Sequence, residues 1–296
     1  MPLRHPESLW FGCPLLLRRL SGHRHAPGEI VSCTMPWGST LHVQHDEFIG
    51  RKILEFGVFE LSVCELIARL TDRGETALDI GANIGQMTSL MAACSGPQGR
   101  VWAFEPHPVV LERLRRNVAE WGPENGHATV EVKGVALGSE AGRAMLKEEP
   151  DFGPNLGKAG LVGTSAAKDA VVVEVERLDD VPEIKAPVGV MKIDVENFEF
   201  EVLKGAASLL ERGVRDIVYE DHQGHPCKVS ELLEPMGYSI FAVKRGLMGP
   251  ELLPADVWFD DPKVATPNFL ATLDPDRARA RFRSRGYLSL RKILRS

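Results

Sequence analysis

Residues 79 to 85 read DIGANIG, and an acid, Glu105, follows Gly85 by twenty positions; no other feature constrains this 296-residue chain as tightly. The apolar residues Ala77, Leu78 and Ile80 read as a strand running into a loop that holds Gly81 and Gly85. A second apolar stretch, Val101 to Phe104, ends in the acid. Glycine has no side chain, so a ligand can approach the backbone closely there. A carboxylate at the tip of the next strand can accept hydrogen bonds from both hydroxyls of a ribose. The pair therefore specifies a nucleoside-containing cofactor at the carboxyl edge of a parallel sheet, whereas the loop alone would fit an ordinary tight strand-to-helix turn.

The loop also discriminates between cofactors. A dinucleotide site uses G-x-G-x-x-G, so that pyrophosphate rests on backbone N–H groups at a helix N-terminus. Here Asn83 occupies the second glycine position, and Asp79 precedes the loop. A carboxylate at Asp79 repels pyrophosphate but attracts the ammonium of an amino acid. S-adenosylmethionine (SAM) carries ribose, adenine and a methionine ammonium and no phosphate, so the loop favours SAM over NAD.

The remaining sequence is that of a globular protein, 44% hydrophobic and 26% charged. The net charge of −6 carries no nucleic-acid signature, and no nucleic-acid partner is expected. Cys13, Cys33, Cys64, Cys94 and Cys227 are dispersed without a C-x-x-C pair, which points to a reducing compartment. No stretch is long and apolar enough to span a membrane. Leu9 to Leu17 is interrupted by Cys13-Pro14 and reads as a docking segment, not a signal peptide. A cytoplasmic location is expected on these grounds.

Periodicity sets the element order. Residues 1 to about 36 read as an irregular arm, and Leu41 and Val43 as a short strand. Phe59, Val63, Leu66, Ile67 and Leu70 recur at helical spacing up to a stop at Gly74. Helices are predicted over Gln86 to Cys94 and Pro108 to Trp121, and Val130 and Val132 mark a strand between polar residues. Residues 147 to 170 lack a period, and Val171 to Val175 restart as a strand. Val188 to Ile193 ends at Asp194, a helix follows from Asn197 to Arg212, and Ile217 to Tyr219 ends in Glu220-Asp221-His222. A short helix over Val229 to Met236 and strands over Tyr238 to Val243 and Asn268 to Thr272 close the pattern. Alternating strands and helices specify a doubly wound α/β sheet. Such sheets bind ligands beyond the carboxyl ends of their strands, and Asp79, Glu105, Asp194 and Glu220 all fall at such ends. The expected division is an N-terminal arm and helical cap (1–74), a SAM-binding domain (75–275) and a basic C-terminal tail (276–296).

GVFE (57–60), DIGANIG (79–85), FEPHP (104–108), LRRNV (114–118), VALG (135–138), KIDVENFEFEVLKGA (192–206) and VYEDH (218–222) together resemble the FkbM-type SAM-dependent methyltransferases. The similarity runs from about residue 41 to residue 272. It implies a class I methyltransferase fold, Rossmann-like, with a seven-stranded sheet whose last strand is antiparallel. It also implies methyl transfer, most often to a hydroxyl of a sugar, polyketide or other small metabolite. One position departs from the pattern: Asn197 stands where the family usually has glycine after DVE. Asparagine tolerates left-handed backbone, so the turn survives, with a side chain now expected near the acceptor pocket.

Gly81, Ala82, Asn83 and Gly85 are the expected cofactor loop, Glu105 the ribose clamp and Asp194 the residue at the methionine end. The fold places adenine near Ala136. His222 is the candidate general base, because it follows a strand end and can be neutral near pH 7; a loop histidine bonded to backbone is the plain alternative. Asp194 and Glu220 complete the candidate catalytic group, and His45 and His107 are weaker bases. Asp194, Glu220 and Asp221 also resemble the magnesium-binding acids of catechol-type O-methyltransferases, and hard cations take carboxylate oxygens. His222, His225 and Cys227 lack a fourth zinc ligand. Lys192 is expected to pair with a neighbouring acid, and Glu60 to face the cleft. Residues 150 to 170 are a candidate lid. The arginines from Arg277 onward read as a solvated basic tail. The expected activity is O-methylation of a small hydroxylated metabolite or glycoside. N- or C-methylation, or a SAM-binding scaffold acting through its tail, are the alternatives.

Overall fold

The computed structural model describes residues 26–148, 159–162, 170–246, 249–257 and 265–291. The Leu9 to Leu17 segment lies outside these residues, as does the candidate lid apart from Ala159–Val162 and Ala170. Two strands, β1 (Ile30–Thr34) and β2 (Thr40–Gln44), form an antiparallel hairpin with Val31 opposite Val43 and Cys33 opposite Leu41. Residues 30–34 are thus a strand, not part of an irregular arm. Their short apolar alternation is completed by cross-strand partners that local reading does not supply. The hairpin is pinned to the domain: Trp37 Nε1 donates to Ser89 Oγ at 3.0 Å, and Trp121 Nε1 donates to the Thr40 carbonyl at 2.7 Å. Two helices follow, α1 (Phe48–Phe56) and α2 (Leu61–Leu70), separated by a turn in which Gly57 takes φ 84°. Helix α2 is buried along its whole length and ends at Leu70, short of the stop expected at Gly74.

The domain then alternates β3 (Thr76–Ile80), α3 (Gln86–Ser95), β4 (Arg100–Phe104), α4 (Pro108–Val118) and β5 (Thr129–Lys133). Four strands, β6 (Ala136–Leu137), β7 (Gly142–Glu148), β8 (Ala159–Val162) and β9 (Ala170–Glu176), form a separate sheet in the order β6-β9-β7-β8 around Ala136, Leu146 and Val173. Of this sheet the sequence had marked only β9. The main sheet resumes with β10 (Val188–Ile193), α5 (Glu199–Lys204), α6 (Ala207–Gly213), β11 (Val214–Glu220), α7 (Lys228–Leu233), β12 (Ser239–Lys244), β13 (Glu251–Pro254) and β14 (Ala265–Thr272), and α8 (Pro275–Phe282) ends the described chain's helices.

The main sheet has the order β13-β12-β14-β11-β10-β3-β4-β5. Strands β5, β4, β3, β10 and β11 are parallel, and β14 enters antiparallel between β11 and β12. This is the class I, Rossmann-like arrangement, with the last strand of the chain antiparallel. Strand β13 adds an eighth, edge strand beyond the seven expected. Strands β3 and β10 are buried on both faces, as parallel central strands must be. The chain winds one way from β3 and the other way from β10, so these neighbours form the switch point at which such sheets open a crevice. Among the described residues no helix is long and apolar enough to cross a membrane.

The helix expected over Asn197 to Arg212 is two helices. Gly205 packs so tightly against the Gly138 carbonyl that an added Cβ would lie 2.0 Å from that oxygen. The second helix restarts on the Asp179 carboxylate, which accepts from the N–H groups of Ser208 (2.9 Å) and Leu209 (2.8 Å). The arginines expected in a solvated tail also turn inward. Arg277 pairs with Asp72 at 2.7 Å and Asp216 at 2.9 Å, and Arg281 pairs with Asp72. Arg69, buried beside Glu65, donates to the carbonyls of Arg281, Ser284 and Gly286. The described part of the C-terminal segment is therefore docked on α2 and the sheet.

Candidate active site

A cleft of about 350 Å³ opens at the carboxyl ends of β3, β4, β10 and β11, where the winding reverses. Its floor is the loop after β3. Gly81 takes φ 78°, and the N–H groups of Gly81 and Ala82 donate to the Phe104 carbonyl at 3.0 and 2.9 Å. Gly81 has no room for a side chain: a Cβ would lie 1.9 Å from the Asp194 carbonyl oxygen. Asn83 follows at φ 51° and bonds the next N–H, that of Ile84, through its own Oδ1 at 2.7 Å. Such local bonding is why asparagine tolerates this conformation.

Glu105 faces the loop from the end of β4. Its Oε2 accepts from the Asn83 N–H and its Oε1 from the His107 N–H, both at 2.9 Å. Each carboxylate oxygen has two lone pairs, so one acceptor site per oxygen remains. That is the complement of a vicinal diol. Burial pushes the carboxyl up to about 7 despite those two N–H bonds. Ala136, on β6, lines the cleft beyond Glu105.

Lys192 is a cation inside a buried strand. Its Nζ donates to the Gly81 carbonyl at 2.8 Å and lies 3.3 Å from Asp79 and 3.4 Å from Asp194. Burial alone would lower its pKa, but the carboxylates of Asp79, Asp194 and Glu60 overcome this and raise it. One ammonium thus ties the glycine loop to the tips of β3 and β10. The pairing expected of Lys192 is present, with two acids.

The far end of the cleft is acidic. Glu60 reaches it from the turn before α2, at φ 52°; the Gln86 side chain holds this turn by accepting from the Phe59 N–H (2.8 Å) and donating to the Phe59 carbonyl (2.7 Å). Burial and then the Asp194 charge push Glu60 up to about 7. Glu220 lies at the end of β11, 3.2 Å from His222 Nε2. Burial, followed by Asp194 and Glu60, pushes Glu220 up to about 8. The non-glycine residues with positive φ among those described are Glu60, Asn83, Glu196 and Asn197, and the first three line this cleft.

Of the residues singled out in the sequence, Gly81, Ala82, Asn83, Glu105, Ala136, Asp194, Glu220, His222, Glu60 and His107 line the cleft. Asp79, Gly85 and Asp221 do not. Asp79 is fully buried beneath the loop, where Thr88 Oγ1 donates to it at 2.6 Å and Lys192 neutralises it, so it does not meet an ammonium directly. Gly85 turns into the core: a Cβ would strike Leu114 and Trp121, so its glycine serves packing of α4. Asn197 takes φ 71°, as its chemistry allows, but it is exposed and lies off the cleft. His45 bonds the Ala26 carbonyl at 2.7 Å, away from the site.

Magnesium does not fit these donors. Asp221 Oδ1 accepts from the Gln223 N–H at 2.7 Å outside the cleft, Asp194 is committed to Lys192 and Glu220 to His222. Among the described residues no three His, Cys, Asp or Glu side chains group to hold a metal ion. SAM fits: a diol-complementary carboxylate, a closely packed glycine loop and an apolar wall share one crevice. Phe48 and Phe59, edge to face at 5.8 Å, supply part of that wall. Phe48 had not stood out in the sequence, and Phe59 had been read as the start of the helical stripe, which begins at Leu61 instead.

Known proteins resemble this chain in sequence. The chain is 29% identical over 175 residues to the hexuronic acid methyltransferase AglP of Haloferax volcanii, covering 59% of this chain and 67% of that protein. It is 31% identical over 199 residues to the 31-O-demethyl-FK506 methyltransferase FkbM of Streptomyces tacrolimicus, covering 57% of this chain and 74% of that protein. The crystal structure of methyltransferase FkbM from Methylobacillus flagellatus superposes with a TM-score of 0.41 at 15% identity, covering 75% of this chain and 52% of that one. The model of the methyltransferase FkbM domain matches residues 79–240, more than half of the chain. The protein belongs to the FkbM methyltransferase family and is a SAM-dependent methyltransferase.

Proposed function

We propose that the protein methylates a hydroxyl of a small metabolite or glycoside, with His222 as the general base and Glu220 as the carboxylate that orients it. The observation that carries this reading is the His222–Glu220 pair, 3.2 Å apart, at the rim of the same cleft that holds Glu105 and the glycine loop. The residues that would hold SAM are Glu105 at the ribose hydroxyls, the Gly81–Asn83 loop, the Ala136 backbone at adenine and Asp194 at the methionine ammonium. Asp79 acts at one remove, by holding Lys192. When bound, SAM supplies an already activated methyl group on a sulfonium sulfur. The chain's own work is therefore alignment, which is worth roughly 7–11 kcal/mol, and removal of the hydroxyl proton, worth about 10²–10⁴ in rate.

His222 Nε2 would take the proton of the acceptor hydroxyl as that oxygen is methylated. Glu220 then faces an imidazolium, which its carboxylate stabilises. Phe48, Ile49 and Phe59 line the cleft as its apolar wall. The printed names of the relatives support a small acceptor: a hexuronic acid for one, a demethylated FK506 for the other.

The reading is tested with purified protein, SAM and a panel of hydroxylated acceptors. His222→Ala should retain SAM binding and lose turnover; unchanged turnover would remove His222 as the base. Because the donors do not fit magnesium, turnover should survive chelation. Loss of activity on chelation, restored by added magnesium, would overturn that point.

A further inference from the structure

Given the reading above, with cofactor on the glycine loop and acceptor beside the Phe59–Glu60 wall, we propose that Gln86 is a positioning residue that couples the two. It fixes the turn from Gly57 to Glu60 more firmly when the loop is filled. Gln86 directly follows Gly85 and opens α3, so its backbone goes where the loop puts it. Its amide bonds a main chain 27 residues earlier in the sequence. Oε1 accepts from the Phe59 N–H at 2.8 Å, and Nε2 donates to the Phe59 carbonyl at 2.7 Å. Meeting both groups of one residue takes an acceptor and a donor side by side at the reach of glutamine. Methionine has the length but no N–H, an ionised glutamate has no donor, and asparagine is one methylene short. Packing alone does not call for this amide. Gln86 is only 5% exposed, and a buried polar group is costly unless its partners satisfy it.

What the amide holds is the wall of the cleft. Phe59 and Glu60 both line it, and Phe59 meets Phe48 edge to face at 5.8 Å. Glu60 follows at φ 52°, and its carbonyl accepts from the Cys64 N–H at 3.0 Å as α2 begins. A non-glycine residue persists in that conformation where its surroundings hold it there. The Cys64 thiol also reaches the Phe59 carbonyl, at 3.4 Å, but it belongs to α2 and not to the cofactor loop. Gln86 supplies the link from loop to turn. A ligand that narrows the motion of the loop narrows that of what is bonded to it. The coupling is reciprocal: the factor by which cofactor strengthens the clamp is the factor by which loss of the clamp weakens cofactor binding.

The experiment needs no acceptor. Hydrogen exchange of the Phe59 amide is followed in the full chain with and without S-adenosylhomocysteine, and calorimetry gives the affinity for S-adenosylhomocysteine in wild-type protein and in Gln86→Met. The ligand should slow Phe59 exchange about tenfold, and Gln86→Met should bind it about tenfold more weakly, the two factors agreeing within about twofold. In Gln86→Met the Phe59 amide should exchange about tenfold faster and no longer respond to ligand. Gln86→Asn should behave as Gln86→Met does, and it decides the outcome if the methionine variant does not fold. A wild-type Phe59 amide indifferent to ligand, or a variant that keeps wild-type affinity, would overturn the coupling. Failure of the hydroxyl-methylation reading would leave these measurements unchanged, because no acceptor enters them. Failure of S-adenosylhomocysteine to bind wild-type protein would remove the cofactor reading of the cleft, and the coupling with it.

Discussion

The two ends of the cleft handle negative charge in opposite ways. At the cofactor end Glu105 is buried yet held by the Asn83 and His107 N–H groups, and Lys192 ties Asp79, Asp194 and the Gly81 carbonyl into one knot. At the proposed acceptor end burial and the Asp194 charge push both Glu60 and Glu220 up, and His222 stands with 59% of its side chain exposed. The first end is built to hold one shape. The second stores repulsion that a substrate or a proton relieves. On the proposed roles, preorganised binding and reactive chemistry sit a few side chains apart on one sheet edge.

That contrast can be broken from either side. At the reactive end, His222→Ala should lower kcat by about 10²–10⁴, read by methyl transfer under saturating SAM. Glu220→Gln should remove the rise of rate with pH that accompanies ionisation of Glu220 near 8. A rate–pH curve unchanged in that variant would place the base elsewhere. At the rigid end, Lys192→Met leaves Asp79 buried and uncompensated, which should cost roughly 3–5 kcal/mol in denaturant unfolding. Glu105→Ala should weaken SAM binding about a hundredfold by calorimetry, since it removes two charge-assisted bonds to the ribose. Unchanged affinity would refute the ribose assignment.

A smaller effect tests both ends together. Glu60, Glu105 and Glu199 are raised from 4.5 to about 7, and Glu220 to about 8. The folded cofactor-free protein therefore binds more protons than the unfolded chain between about 4.5 and 8. Stability is greater below that window and falls as pH rises through it. The Tm of the cofactor-free protein should decline across this range, and Glu105→Gln should flatten part of the decline. A Tm that climbs instead would show these carboxyls to be ionised in the fold. The smallest change is Asn197→Gly. Relief of the left-handed backbone at φ 71° should stabilise by about 1 kcal/mol or less, with kcat unaltered because the residue lies off the cleft.

Much of this was legible before any coordinates. The strand ends at Asp79, Glu105, Asp194 and Glu220 are marked by local apolar runs, and parallel strands buried on both faces must read that way. Glu105 beside the loop and Lys192 beside acids follow from those runs, and the antiparallel last strand from the family resemblance. The hairpin strand Ile30–Thr34 was not legible, nor was the sheet around Ala136, Leu146 and Val173. Both owe their form to partners far along the chain. The break at Gly205 and the docking of Arg277 and Arg281 on Asp72 fail to show for the same reason: their causes, the Gly138 carbonyl and the end of α2, are distant in sequence.

The order of residues by itself determined the class of the sheet, the edge on which a ligand binds and the kind of cofactor, because periodicity and glycine position are local properties. Only the tertiary structure decided which acids line that cleft. Asp79 and Gly85 belong to the loop's signature yet face the core, while Glu60, from a turn outside the sheet, reaches the cleft. The direction of a side chain at a strand end depends on what packs against it, and here Lys192, Leu114 and the Gln86 clamp make that choice.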